Sequence, residues 1–571
     1  MQNRWKNRMP WILSLFLWAA FTVPPATAQA DSLFSLLPDD VIAAVRLHSI
    51  QQSSSNLNTF SLAAAGMPLG EELESMILGA ADLKSLEGFD RDKPLWLLFG
   101  KNEEMAESLS LIAPITDCNA IIAASELQQD EPGVYNTESR SILFRPNAAL
   151  FFDGEIQDNL KTWFAKAPLD QLAAFETDSQ DDLSAWIQIA PLAEMLREAS
   201  ADFLESMEGL MTLNPMSSPN TIPLLKTEIG WLLDLMDQTD MIRLGLQLSP
   251  DALRLHKQAY LKDGTPMADY FRTARYADIG DILSVLDPNN FISAVINFDP
   301  KVYELTRDRI LNDFKDLHMN TGEMKKMWEQ GFKAYKGPMG MSINPSFKEN
   351  QPIAFTQLIA YQGADDVRVL LDSMTSVMQE SAQMVAPATG VHLEVSEVKD
   401  IGSYRNIPYS KISLRYLVDD PESPLAEIFS KQNMDYFYAL TDKTIVFTTE
   451  NMPDVLDKIL SSDKPAAPDY IDKNAMLSMR INLLQGIIAA KQYMAQTMQG
   501  VNPLEMVEIP PDADNPGVII DLRVQDGDPV SSLTVPMKEI EIVRNIILGV
   551  MMQQQEEEPQ EPPQGEPQEE G

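Results

Sequence analysis

Residues 141–152 read SILFRPNAALFF, two apolar runs broken by Pro146-Asn147. Apolar runs bounded by turn residues predict a β-hairpin. The spacing then changes from period two to period three and four, which predicts a short amphipathic helix over 157–166. The same sequence of events recurs at 436–449 (YFYALTDKTIVFTT), with Thr441-Asp442-Lys443 at the turn and a helix predicted over 452–461. A second pair of hairpins is predicted at 242–261 and 518–535, where apolar and polar residues alternate around a turn.

Four further stretches join an aliphatic run to an amphipathic helix: 41–50, 183–213, 291–311 and 475–494. Two of them follow similar turns, Leu37-Pro38-Asp39-Asp40 and Leu286-Asp287-Pro288-Asn289-Asn290. In the helix predicted over 191–213, Leu192, Met195, Leu196, Ala199, Phe203, Met207 and Leu210 share one face. Asp299-Pro300 marks the start of a helix over 301–317, and Asp365-Asp366 the start of another.

Because the elements recur in the same order, the pattern predicts a duplicated unit. The expected fold class is α+β with two related halves, 31–272 and 273–550. Each half is expected to carry a mainly antiparallel sheet packed on long amphipathic helices.

The two ends of the chain break the pattern. Arg4, Lys6 and Arg8 precede an apolar run over 11–23, and Ala28-Gln29-Ala30 places small residues at both positions read by a signal peptidase. The run is shorter than the roughly 20 residues needed to span a bilayer. Residues 1–30 are therefore expected to be a signal peptide cleaved before Asp31. At the other end, 551–571 is read as a disordered acidic tail. From Gln553 onward it holds only Gln, Glu, Pro and Gly, which cannot bury apolar area to offset ordering entropy.

Charge and cysteine content narrow the setting. The net charge is −40, and loss of three basic signal residues makes the mature chain more acidic still. Nucleic acid and anionic membrane surfaces would be repelled. One cysteine, Cys118, has no intrachain partner. A chain exported without disulfides points to a bacterial periplasm or the extracellular space rather than a eukaryotic secretory route. No later apolar run reaches spanning length, so no stable membrane span is expected after cleavage.

The chemistry-bearing residues form no local constellation. His48, His256, His318 and His392 are dispersed, and no HExxH or CxxC spacing exists. No GxSxG, phosphate-binding loop or dinucleotide fingerprint is present. Strand alternation accounts for His48 and His256. Ser461-Ser462-Asp463-Lys464 matches SxxK formally but lies at a helix end in a polar linker. Asp512-Ala513-Asp514-Asn515-Pro516-Gly517 resembles the start of a calcium loop, yet Pro516 and Arg523 stand where ligands belong, so it reads as a turn. Cys118 falls where a strand gives way to a helix and reads as a small buried hydrophobe. Thirty methionines, several on helix faces, suit irregular cores or the binding of apolar ligands. No catalytic residue, metal site or cofactor is expected.

Leu37-Pro38-Asp39-Asp40 with the strand after it, followed by Gly88-Phe89-Asp90-Arg91-Asp92-Lys93-Pro94 and Leu95 to Leu98, resembles the opening of uncharacterised families of exported bacterial proteins. That resemblance implies export and a mixed α/β body, and it carries no catalytic residues. The expected function is that of a soluble exported non-catalytic protein of the bacterial envelope, binding a protein partner or an apolar ligand. The alternatives are a hydrolase whose site is assembled from scattered carboxylates and serines, or a structural component of an envelope assembly.

Overall fold

The computed structural model describes residues 33–557 except 102–106, 154–157, 176–179, 214–220, 288, 303, 306, 308–320, 349–350, 374, 376–390, 419–433, 462–467, 469, 498–516 and 526. The signal region therefore lies outside the described residues. So do His318, most of the helix expected over 301–317, and Asp512 to Pro516.

The fold is mixed α+β. Its first ten strands are β1 (Val41–Leu47), β2 (Leu95–Lys101), β3 (Glu107–Pro114), β4 (Gln128–Glu131), β5 (Val134–Asn136), β6 (Arg140–Arg145), β7 (Ala148–Asp153), β8 (Leu183–Gln188), β9 (Thr239–Leu248) and β10 (Ala252–Leu261). The next ten are β11 (Ile292–Asn297), β12 (Tyr335–Lys348), β13 (Gln351–Tyr361), β14 (Val391–Tyr404), β15 (Ile407–Val418), β16 (Met434–Leu440), β17 (Thr444–Thr448), β18 (Ala475–Ile481), β19 (Val518–Gln525) and β20 (Asp528–Pro536).

All twenty belong to one hydrogen-bonded sheet. Outward from its centre, the first ten strands run β10-β9-β8-β1-β2-β3-β7-β6-β5-β4. The other ten run β20-β19-β18-β11-β12-β13-β17-β16-β15-β14, the same order with each label raised by ten. Every pairing is antiparallel. The two sheets expected from the sequence are thus one ladder. β10 and β20 each finish their run of strands with an open edge, and they pair with each other from Ala252 and Pro536 to Gln258 and Val530.

The strands alternate between two buried faces. On β7, Leu150 and Phe152 join a cluster with Ala44, Trp96, Leu98, Ile112 and Trp186. Ala149 and Phe151 point the other way, into a cluster with Leu47, Leu95 and Leu111. Burial of both faces explains why these strands read as continuous apolar runs.

The helices that cover the two faces are local in origin. α1 (Ile50–Ala65) starts at Ser49, whose hydroxyl accepts from Gln52 N. α2 (Gly70–Ala81) carries Glu71 and Glu72 in its first turn. α3 (Cys118–Ser125) starts at Asp117, whose carboxylate accepts from Asn119 N and Ala120 N. These three cover the second face through Ile50, Ile77, Ala81 and Ile121. The first face is covered by Leu33 and Leu37, by Phe164 of α4 (Asp158–Lys166) and by Leu172 of α5 (Leu169–Ala174).

α6 (Ile189–Leu213) and α7 (Thr221–Asp237) follow, then α8 (Pro266–Thr273), α9 (Thr321–Ala334), α10 (Met452–Leu460), α11 (Leu483–Thr497) and α12 (Met537–Glu557). The hairpins expected at 141–152 and 436–449 are β6–β7 and β16–β17, and α4 and α10 follow them.

The stripe expected on α6 is covered in part: Leu192, Met195, Leu196 and Met207 are half-buried beside the buried Ala193 and Ser200, whereas Ala199 is exposed and Phe203 is 48% exposed. α6 packs mainly along α7, with Arg197 paired to Asp237, and it meets the sheet at β9. α12 is described through Glu557, into the range 551–571 that the sequence reads as a tail.

Candidate functional site

One row of cross-strand partners passes through the centre of the sheet. Ser184 on β8 pairs with Gly245 on β9, and Gly245 with His256 on β10. His256 pairs with Ser532 on β20, Ser532 with Asp521 on β19, and Asp521 with Ser478 on β18. Partners in one row share a face, so this is a polar strip between two apolar clusters.

Asp181, just before β8, supplies the carboxylate of the first-half side. Its Oδ2 accepts from Arg243 Nη2 at 2.8 Å and from Ser184 Oγ at 3.1 Å, and lies 3.1 Å from His256 Nε2. Arg243 Nη1 lies 2.8 Å from the same Nε2. Nε2 thus stands between a guanidinium, which only donates, and a carboxylate, which only accepts. The Asp181 and Arg243 side chains are 5% and 10% exposed. The guanidinium also stands 5.7 Å from the Trp186 ring centroid, and Trp186 stacks on Trp96.

Gly245 makes this arrangement possible. A Cβ there would overlap both the His256 ring and the Asp181 carboxylate. On the other side of the centre, Asp521 carries its own carboxylate and accepts from the fully buried Ser478 hydroxyl. Burial raises the Asp521 carboxyl above the usual aspartate range.

Asp182 turns to the opposite side of the strand from Asp181. Its carboxylate accepts from Leu248 N and from Asn56 Nδ2, each at 2.7 Å. Burial outweighs these bonds and holds its carboxyl above the usual range. Its main-chain oxygen accepts from His48 N at 2.9 Å. Burial, and then the charge of Arg46, hold the His48 ring below its ordinary value. Lys257, next to His256 but on the other face, is 6% exposed, and its Nζ has no hydrogen-bond partner among the described residues. Burial lowers its pKa to about 8.

Of the residues singled out in the sequence, His256 enters the strip and His48 stands beside Asp182. Of His392, only the backbone position on β14 is described. Cys118 is the first residue of α3; it is half-buried rather than buried, packing on the second-face cluster. Ser461 caps the end of α10, and its hydroxyl donates to Lys458 O at 2.9 Å. Asp181, Arg243, Gly245 and Asp521 were not anticipated. The available signals were Asp181-Asp182 directly before a strand, Arg243 at a position whose neighbours on the same face are buried, and a glycine inside a strand.

Among the described residues no group of three or more His, Cys, Asp or Glu is placed to hold a metal ion. A groove of about 640 Å³ between residues 35–39 and α4, lined by Leu36, Leu37, Trp163 and Lys166, shares no residue with the strip.

No family model matches the chain, and no curated protein matches it. A solved structure, crystal form I of TP0453, aligns at 10% identity over 42% of this chain and 82% of its own, with a TM-score of 0.22. At that score the likeness carries no argument about fold or function. No helix among the described residues is long and apolar enough to cross a membrane.

Proposed function

We propose that this chain is a soluble, exported, non-catalytic binding protein of the bacterial envelope, built from two related halves, 31–272 and 273–550. The observation that carries the non-catalytic reading is the state of His256. A hydrolase base needs a ring nitrogen free to take a proton from a nucleophile or water. Here Nε2 is occupied on both sides, 2.8 Å from Arg243 Nη1 and 3.1 Å from Asp181 Oδ2. Ser184, the nearby hydroxyl, donates to Asp181 rather than to a base. The constellation neutralises buried charge and sets up no proton transfer to a nucleophile.

The two-half reading is supported by the repeated strand order and by register. Ser184 beside Gly245 and Ser478 beside Asp521 take corresponding places, and His256 and Ser532 meet where the two runs join. Export is supported by the basic, apolar and Ala-x-Ala segments of residues 1–30. The acidic surface suits neutral or cationic partners.

Three experiments test the reading. The purified mature protein is assayed against ester, phosphoester and glycoside substrates. No turnover is expected, and turnover abolished by His256→Ala would overturn the reading. A protease site inserted between Asp287 and Asn290 is cut in the folded chain. The fragments should stay associated through β10 and β20; separation without denaturant would refute the proposed joining of the halves. Intact mass of periplasmic protein should show a chain beginning at Asp31.

A further inference from the structure

Along the join of the two runs, β10 and β20 set three pairs side by side on the second face. Lys257 stands opposite Ser531, Leu255 opposite Leu533, and Leu253 opposite Val535. Leu246 on β9 pairs with Leu255, and Ile520 on β19 pairs with Leu533, so the apolar floor is four strands wide at its middle. The step from Lys257 to Leu253 covers about 13 Å along the strand, and the four strands span roughly 14 Å across.

Central strands of a sheet normally bury such side chains under a helix. Here Leu255 is 41% exposed, and Leu246, Leu253, Leu533, Val535 and Ile520 are only half-buried. None of the six belongs to a packed cluster of the described residues. The cluster around α8 reaches Leu261 and Leu522 and stops short of them. α12 leaves the end of β20 and packs mainly along α1.

Lys257 closes one end of this floor. It is 6% exposed, and its Nζ has no hydrogen-bond partner among the described residues. Burial is the sole cause of its lowered pKa, so no charged group among the described residues stands close enough to compensate it. In the three rows from Lys257 to Leu253, every other second-face residue of β9, β10, β20 and β19 is Leu, Ile, Val or Ser.

These features select the occupant. A buried ammonium with unmet donors is costly, and a carboxylate meets those donors. The facing Ser531 hydroxyl, half-buried, is a further donor. One ammonium balances the single charge of a carboxylate, whereas a phosphate monoester carries up to two. The net charge of −40 disfavours anions over the surface at large, so the ligand must also bury an apolar body, and the exposed leucines offer the place for it.

We propose that the second face of the β10–β20 join binds a long-chain fatty acid, with its aliphatic chain along Leu255, Leu533, Leu253 and Val535 and its carboxylate against Lys257 and Ser531. This rests on the reading of the chain as a binding protein and names the class of its ligand.

The test titrates dodecanoate into the full mature chain, delipidated on an apolar resin, by calorimetry at pH 7 and about 0.15 M salt, where long-range charge effects are largely screened. Saturable binding at one site is expected. Lys257→Met, which keeps a long side chain and removes its charge, should weaken binding at least tenfold, as loss of one partner of a buried charge pair does. Leu255→Asn should weaken it similarly, whereas Leu417→Asn on β15, another exposed leucine, should leave it unchanged. Dodecanol and butanoate, which lack the charged head and the long chain in turn, should each bind at least tenfold more weakly. Methyl NMR should place the dodecanoate chain against Leu255 and Leu533. Absence of saturable binding overturns the proposal. So does equal binding of dodecanol, equal binding by Lys257→Met or by the folded Leu255→Asn variant, or chain contacts that fall elsewhere. Turnover of ester substrates would instead refute the non-catalytic reading and leave the dodecanoate result standing, so the two failures are distinguishable.

Discussion

His256 on β10 and Ser532 on β20 stand opposite each other at the join of the two runs of strands. Moving one strand outward on either side reaches Gly245 and Asp521, and moving two reaches Ser184 and Ser478. Both sides thus place a carboxylate beside a buried serine. They do so differently: Asp521 uses its own side chain, whereas Gly245 vacates the space and Asp181 fills it from the preceding loop.

The space left by Gly245 is therefore the first thing to test. Gly245→Ala would drive a methyl group into the His256 ring and the Asp181 carboxylate. The expected loss is about 1–3 kcal/mol, typical of overpacking. His256→Ala should relieve part of it, so the double variant should be less destabilised than the two single losses combined. Urea denaturation of the four proteins measures this, and strict additivity would show that the ring and the glycine are independent.

Removing Arg243 should leave a buried carboxylate poorly compensated. Arg243→Met is expected to destabilise the fold by roughly 3–5 kcal/mol, because the Asp181 charge stays buried after losing its 2.8 Å partner. Adding Asp181→Asn should recover a large part of that loss. A double variant no more stable than Arg243→Met would show that the pair is not coupled.

Lys257 should destabilise the fold as long as it carries charge. Its folded pKa of about 8 lies below the unfolded value of 10.5. Below pH 8 the amine is protonated in both states and the burial penalty is complete. Between about 8 and 10.5 only the unfolded chain holds the proton, so stability from this group rises with pH. Lys257→Met should stabilise the protein at pH 7 by about 3 kcal/mol and remove that rise. Chemical denaturation at pH 7 and at pH 10 gives both quantities.

Asp182 should show the acid-side counterpart. Its folded pKa is raised above 3.8, so the folded state keeps the proton to higher pH than the unfolded state does. Its contribution is most favourable below the unfolded pKa and declines as pH rises through the folded value. Asp182→Asn keeps an oxygen that can accept from Leu248 N or Asn56 and removes the charge. The variant should lose this decline and be at least as stable as the parent at pH 7. A clear loss of stability at pH 7, measured from the urea midpoint, would show that the ionised carboxylate is needed.

The local elements were legible because their causes are local. Pro146-Asn147 turns the chain between Arg145 and Ala148, which pair on β6 and β7. Asp117 caps α3 through its own carboxylate. Each depends on residues within a few positions of one another, where backbone sterics and hydrogen-bond reach decide the outcome.

What the tertiary structure alone decided is which distant positions meet. The alternation along 242–261 and 518–535 marks both stretches as hairpins, but nothing in it says that β10 and β20 pair with each other. Any two open edges of suitable length satisfy the same main-chain hydrogen bonds. His256 was visible as a strand residue. Its role follows from Asp181, 62 residues before Arg243 in the chain, arriving on the face that Gly245 leaves open. Period and capping determine an element and its faces; the registers of strands far apart in sequence determine which charged side chains share one buried place.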